Sequence, residues 1–256
     1  MIGGGVVGLV IAGGLGATVG RFYRDQHQAQ QEWEASEVRP LEGLGAVERL
    51  AVLPLIDWYS ANPELEGESG VSYLVRADDT TILFDLGFNN QNLEPSPLLR
   101  NMEVLGVKPE DVDILVISHA HADHTGGIRA QKAETFFVSP GQNWIGAIPA
   151  YLPESRQHPS ALTRVVRSPE VLAKGVATTG TIPRALWLMG LVREQALLVN
   201  VAGKGLVAVV GCGHQGLERL LQRIHDISAE PLYGFVGGLH LPVTGSRMAF
   251  GAQRVI

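Results

Sequence analysis

Residues 118–127 read Ser-His-Ala-His-Ala-Asp-His-Thr-Gly-Gly, which puts His119, His121, Asp123 and His124 within six positions. Imidazole and carboxylate are the donors that hold Zn²⁺, or a redox metal such as iron, at neutral pH. The whole chain has only eight histidines, so three of them beside one aspartate is not the scatter expected of a solvated surface. His119 and His121 alternate, and alternate positions of an extended chain share a face. Two later histidines also follow apolar runs and glycines: His214 in Gly-Cys-Gly-His-Gln-Gly and His240 in Gly-Gly-Leu-His-Leu. Glycines at such points let a backbone come close to a bound ion.

The elements that must position these groups are legible around them. Residues 111–117 (DVDILVI) are short, apolar and β-branched, the pattern of a buried parallel strand. Its C-terminal end carries the histidine cluster, and open α/β sheets build their sites at such ends. Residues 50–56, 71–76 and 80–86 read as strands, with Ala77-Asp78-Asp79 as a turn. Residues 97–105 read as a helix stopped by Gly106 and Pro109. Residues 196–201 and 205–211 predict a hairpin around Ala202-Gly203-Lys204, and the apolar stripe Leu217, Leu220, Leu221, Ile224 and Ile227 predicts a helix lying on a sheet. Together these support a mixed α/β fold.

The chain of 256 residues is 45% hydrophobic and 18% charged, a globular composition. A net charge of −6 with no basic block argues against a nucleic-acid partner. The single cysteine, Cys212, excludes an internal disulfide and reads as a small core residue, with metal ligation or a nucleophilic role the alternatives. His158 reads as exposed in a polar stretch, and His27 and His225 fit solvated helix faces. No G-x-S-x-G occurs, so a serine-hydrolase elbow is not indicated.

The N-terminus is a separate object. Residues 2–20 carry no charge, and as a helix they would span about 28 Å, close to a bilayer core. Arg21 and Arg24 follow, which by the positive-inside rule would leave the rest of the chain in the cytoplasm. No Lys or Arg precedes residue 21, against a signal peptide, and no strand precedes Gly3-x-Gly5-x-x-Gly8, against a dinucleotide fold. The expected organisation is a transmembrane anchor over 1–21, a polar helix or linker over 22–46 and a catalytic domain over 47–256. The expected localisation is therefore membrane-anchored, with a cytoplasmic catalytic domain.

The H-x-H-x-D-H run resembles the hallmark of the metallo-β-lactamase superfamily, and the likeness extends over roughly residues 47–256. The segments GESGVSYLV (67–75), TTILFDLG (80–87), VVGCGHQG (209–216) and VGGLHL (236–241) are similar to one branch of it. That branch includes hydrolase-like proteins and the dihydropterin-forming condensing enzymes of methanopterin biosynthesis. The resemblance implies an αβ/βα sandwich, zinc as one or two ions with iron or manganese as substitutes, and a small-molecule substrate. It implies that His119, His121 and His214 make a three-histidine site with a position left open for water. Asp123 and His124 would face a second cation, with Asp123 orienting the activated water and Asp85 hydrogen-bonding a ligand histidine.

Two departures stand out. Where many members carry an aspartate bridging both metals, this chain has His240, which leaves two readings open, a metal ligand or a substrate contact. The chain also ends at Ile256, short of the further strand and last histidine usual in the family, which predicts a domain lacking its C-terminal elements and one uncovered sheet edge. A metal-dependent hydrolase acting on an ester, phosphoester or amide is the expected function. The alternatives are a dihydropterin-type condensing enzyme and a truncated, non-catalytic, membrane-associated binding protein. Redox chemistry at a di-iron centre is disfavoured, because no flavin domain accompanies the site.

Overall fold

The computed structural model describes residues 3–141 and 146–239, with residues 3–15 described by backbone alone. Six strands form a first sheet in sequence order: β1 (Leu50–Ile56), β2 (Ser72–Ala77), β3 (Thr80–Phe84), β4 (Ile114–Val116), β5 (Pro149–Leu152) and β6 (Leu162–Val165). The first three are antiparallel; β3 to β6 run parallel. After β7 (Glu170–Ala173) and β8 (Val176–Thr178), β9 (Ile182–Leu186) pairs with β10 (Gly190–Glu194) as a separate hairpin. The strands β11 (Leu197–Val201), β12 (Gly205–Val210) and β13 (Leu232–Gly237) complete a second sheet of order β13-β12-β11-β8-β7, in which β12 and β13 are parallel.

The period-two pattern of these strands explains how they stack. Alternate residues of β2, β3 and β4 (Tyr73, Val75, Ile82, Phe84, Ile114, Val116) meet Val176, Leu197, Val199, Val207 and Val209 of the other sheet in one buried layer. The outer face of the first sheet receives α2 (Pro97–Val104) through Leu98 and Met102. The outer face of the second receives α4 (Leu217–Ile227) through Leu220, Ile224 and Ile227. A five-residue helix, α3 (Ile128–Lys132), follows the histidine cluster. The layers are therefore helix, sheet, sheet, helix, and the parallel ends of β3 and β4 open beside those of β12 and β13.

The N-terminal expectation is corrected. Among the described residues no helix is long and apolar enough to cross a membrane, which overturns the membrane-anchored localisation. The side chains of residues 1–15 lie outside the described set. The uncharged run is not an element of its own. It belongs to α1 (Gly3–Glu34), which continues through Arg21 and Arg24 and sets its polar half against β9 and β10. The Arg193 guanidinium donates to both Glu32 carboxylate oxygens, at 2.6 and 2.8 Å. Trp33 lies under Arg223 and Arg219, whose guanidinium carbons are 4.7 and 5.2 Å from its ring centroid.

Arg193 holds the Glu32 carboxyl below the ordinary glutamate range, against the opposing effect of burial. A lowered folded value means the pair stabilises fully above the unfolded pKa and fades as pH falls through the folded one. The pair is partly exposed, so Arg193→Ala should cost only about 0.5–1 kcal/mol at neutral pH. Hydrogen exchange should then quicken along the second half of α1, and the difference from the parent chain should vanish in acid. Unchanged exchange at neutral pH would show that the pair does not dock the helix.

Candidate metal centre

Each candidate side chain sits just past the C-terminal end of a strand. Asp85 follows β3, the run from Ser118 to His124 follows β4, and Cys212 to His214 follow β12. The loop after β4 brings His119 Nε2 to 3.0 Å from His121 Nδ1. The ring centroid of His214 lies 4.8 Å from that of His119 and 5.0 Å from that of His121. One ligating atom from each of His119, His121 and His214 falls within 4.8 Å of the others. Nitrogens at the corners of a tetrahedral zinc site are about 3.3 Å apart, so this set fits a cation with small adjustments.

Asp85 fixes which nitrogens face inward. It is fully buried and adopts φ 61°, a left-handed conformation that aspartate tolerates. Its Oδ1 accepts the Ser118 N–H at 2.6 Å, and its Oδ2 accepts the Ser118 hydroxyl at 2.6 Å and His124 Nδ1 at 2.7 Å. Ser118 Oγ is also 2.9 Å from His119 Nδ1. A hydroxyl that donates to Asp85 can accept from His119 Nδ1–H, which leaves the His119 Nε2 lone pair for a ligand. By the same logic the bond to Asp85 turns His124 Nε2 inward, where it carries either a proton or a ligand. Asp85 is thus hydrogen-bonded to one histidine ring, and Ser118 to a second.

His124 Nε2 lies 3.1 Å from Cys212 Sγ and 3.7 Å from Asp123 Oδ2. Burial alone would lower the His124 pKa, but Cys212, Asp85 and Asp123 outweigh it and hold the ring well above its usual value. A buried imidazole among three groups able to carry negative charge favours a positive charge at this point, whether proton or metal. His240 lies outside the described residues, so neither reading of it bears on the geometry.

Several groups that build the site have no motif of their own. Glu194, fully buried at the end of β10, accepts the N–H of Cys212 and Gly213 on Oε1, both at 2.9 Å, and that of His214 on Oε2 at 2.6 Å. Burial pushes its carboxyl up to about 7, and the donors of Gly213, Cys212 and His214 pull the other way. Its neighbour Gln195 donates to the carbonyls of Ile117 and Tyr151 at 2.8 and 3.1 Å, and its backbone N–H reaches Ser118 O at 2.9 Å. This dipeptide clamps the histidine loop of each sheet to the other. Only the polar pair Glu194-Gln195 interrupting two apolar strands could have signalled it.

Gly70, in the 67–75 segment, has φ +84°, and a Cβ there would lie 1.9 Å from the Asp123 carbonyl oxygen. The glycine is what lets the β2 approach pass under the aspartate loop. Arg156, read from sequence as part of an exposed stretch, is buried and donates to Ala120 O at 3.3 Å, inside the histidine run. His158, expected to be exposed, is half-buried: it stacks on Phe136 with ring centroids 4.6 Å apart and accepts the Ala161 N–H at 3.1 Å. His27 and His225 are exposed, as their helix positions suggested.

The model of the metallo-beta-lactamase superfamily matches residues 65–141 of this chain, the stretch that carries Asp85 and the histidine run. Among curated proteins, the chain is 24% identical over 238 residues to the 7,8-dihydropterin-6-methyl-4-(beta-D-ribofuranosyl)-aminobenzene-5'-phosphate synthase of Methanocaldococcus jannaschii, covering 78% of this chain and 81% of that protein. Among solved structures, it shares its fold with Tm1679, described as a metal-dependent hydrolase of the beta-lactamase superfamily. The TM-score is 0.53 and the identity 23%, over 77% of this chain and 79% of that one.

Proposed function

We propose that this protein is a metal-dependent hydrolase that directs water at an ester, phosphoester or amide of a small molecule. The observation that supports it is the convergence of His119, His121 and His214 from two sheets, with Asp123 and His124 beside them. His119, His121 and His214 hold one divalent cation, zinc being the species these donors suit best, with iron or manganese as substitutes. Asp123 and His124 face a second. A cation held there supplies Lewis acidity and lowers the pKa of nearby water toward neutrality.

The protein's own groups do the rest. Asp123 accepts a hydrogen bond from the attacking water and aims it. Asp85 and Ser118 keep the rings of His124 and His119 in the ligating tautomer, and Glu194 fixes the backbone that carries His214. Residues 47–256 form the catalytic domain in this reading, and no nucleic-acid partner is involved.

Metal analysis of the purified chain at neutral pH should find one or two equivalents of zinc or a similar metal. Protein that carries none, and takes none up on dialysis against zinc, would overturn the proposal. The similarity to a named synthase favours a second reading, a condensing enzyme in which the same cation polarises a phosphate leaving group. Turnover of a pterin phosphate without general phosphodiesterase or esterase activity would select it.

A further inference from the structure

A second set of donors lies beside the three histidines. One ligating atom from each of His119, His124 and Cys212 falls within 4.8 Å of the others, and all three residues are buried. His119 is already committed: its Nδ1 is taken up by Ser118 and its Nε2 faces His121. That leaves the thiol of Cys212 facing His124 Nε2 at 3.1 Å, with Asp123 Oδ2 at 3.7 Å from the same nitrogen.

The position of Cys212 is not that of a space-filling core residue. It lies beyond β12, where Glu194 holds its backbone N–H at 2.9 Å, and its sulfur meets a ring nitrogen. Asp85 accepts from Nδ1 of that ring, so Nε2, once it gives up any proton, presents a lone pair toward the sulfur. Three chemistries satisfy this contact: a thiol hydrogen bond to the neutral ring, an imidazolium–thiolate pair, or a cation bound by both atoms; the third donor beside it, Asp123, favours the cation. In a tetrahedral zinc site a nitrogen and a sulfur are about 3.6 Å apart, within a small outward movement of the observed separation.

We infer that Cys212 is a ligand of the second cation, which is held by Asp123, His124 and the Cys212 thiolate. The inference rests on the metal-dependent reading of the first site. It deepens that reading by supplying a donor for the second position from the loop after β12, independently of His240. Binding replaces the thiol proton, which leaves to solvent, with one sulfur–metal bond. A soft thiolate among an imidazole and a carboxylate favours zinc or cobalt over manganese or magnesium, so the second position should discriminate against hard cations.

The test uses the full chain, stripped of metal and titrated with Co²⁺. Cobalt bound by a thiolate gives an intense near-ultraviolet charge-transfer band, which histidine and carboxylate ligands do not. The band should appear in the wild type as the second equivalent binds and be absent in Cys212→Ser. That variant should still bind one equivalent, with the second weakened by roughly 100-fold or more, beyond what loss of an outer hydrogen-bond partner produces. If the variant does not fold, X-ray absorption of the zinc-loaded wild type answers the same question through a sulfur shell near ~2.3 Å. A wild type that binds one or two equivalents with no thiolate band and no sulfur shell overturns cysteine ligation and leaves the three-histidine site standing. A wild type that binds no cobalt at all overturns both.

Discussion

His121→Ala should strip the first cation and abolish hydrolysis while leaving the metal-free fold almost untouched. His121 is only half-buried, and its neighbours in the loop are held by other groups: Ser118 and Asp85 by mutual hydrogen bonds, Ala120 by Arg156 and Gln131. Removing the imidazole therefore opens no core cavity and orphans no buried donor network. What it removes is one of three nitrogens that converge within 4.8 Å. Loss of a direct ligand should weaken binding by more than the roughly 10–100-fold cost of losing an outer partner. The clearest readout is thermal. A ligand that binds only the folded state adds about 2.7 kcal/mol at 100 times its Kd. Zinc should raise the melting temperature of the wild type by more than that of the variant, which retains only the second position. A variant that binds as many equivalents as the wild type, with unchanged affinity, would mean that His121 is no ligand.

Side chains adjacent in sequence to a strand end were legible because local pattern fixes where a strand stops. The run 118–124, His214 and Asp85 could each be assigned to a strand end, and the paired strands and helices fell close to the expected bounds. What could not be read were contacts made across the molecule. Glu194 is 20 residues from His214 and Gln195 is 78 from Ile117, and neither distance leaves a periodic trace. Gly70 beneath Asp123 is of the same kind, a close approach of two loops far apart in the chain. Arg223 also escaped notice, because a charge within an apolar helical stripe reads as solvated. In the fold it is fully buried, donating to Thr179 O at 2.8 Å and to Ser36 Oγ at 3.0 Å while covering Trp33.

The N-terminal run misled for a related reason. Length and lack of charge describe a bilayer span and the start of a long helix equally well, and only the docking of residues beyond Arg21 separates the two. That docking depends on Arg193, Arg219 and Arg223, which lie more than 150 residues away.

Asp85→Ala should be the most destabilising substitution at the site, costing about 3–5 kcal/mol, because it deletes one buried partner of a charged pair and leaves the others uncompensated. Three donors converge on this carboxylate: the Ser118 N–H, the Ser118 hydroxyl and His124 Nδ1. Ser118, His124 and Asp85 are all fully buried, so no water replaces the lost acceptor. Alanine is also strained at the positive φ of this position, whereas asparagine tolerates it as aspartate does. Asp85→Asn therefore separates electrostatics from backbone strain. Its single carbonyl can still accept from Ser118, but its amide presents a donor to His124 and favours the tautomer with the proton on Nε2, facing Cys212. The asparagine variant should fold, with a loss of about 1–2 kcal/mol, the usual range for a single hydrogen-bond defect. It should keep the first equivalent of metal and lose the second. Urea unfolding of the metal-free proteins measures the stabilities, and metal titration measures the occupancy. If Asp85→Ala unfolds at the wild-type urea concentration, the carboxylate bears no structural strain and the ring of His124 is oriented by other contacts. If Asp85→Asn binds both equivalents at wild-type affinity, the tautomer of His124 does not govern the second position.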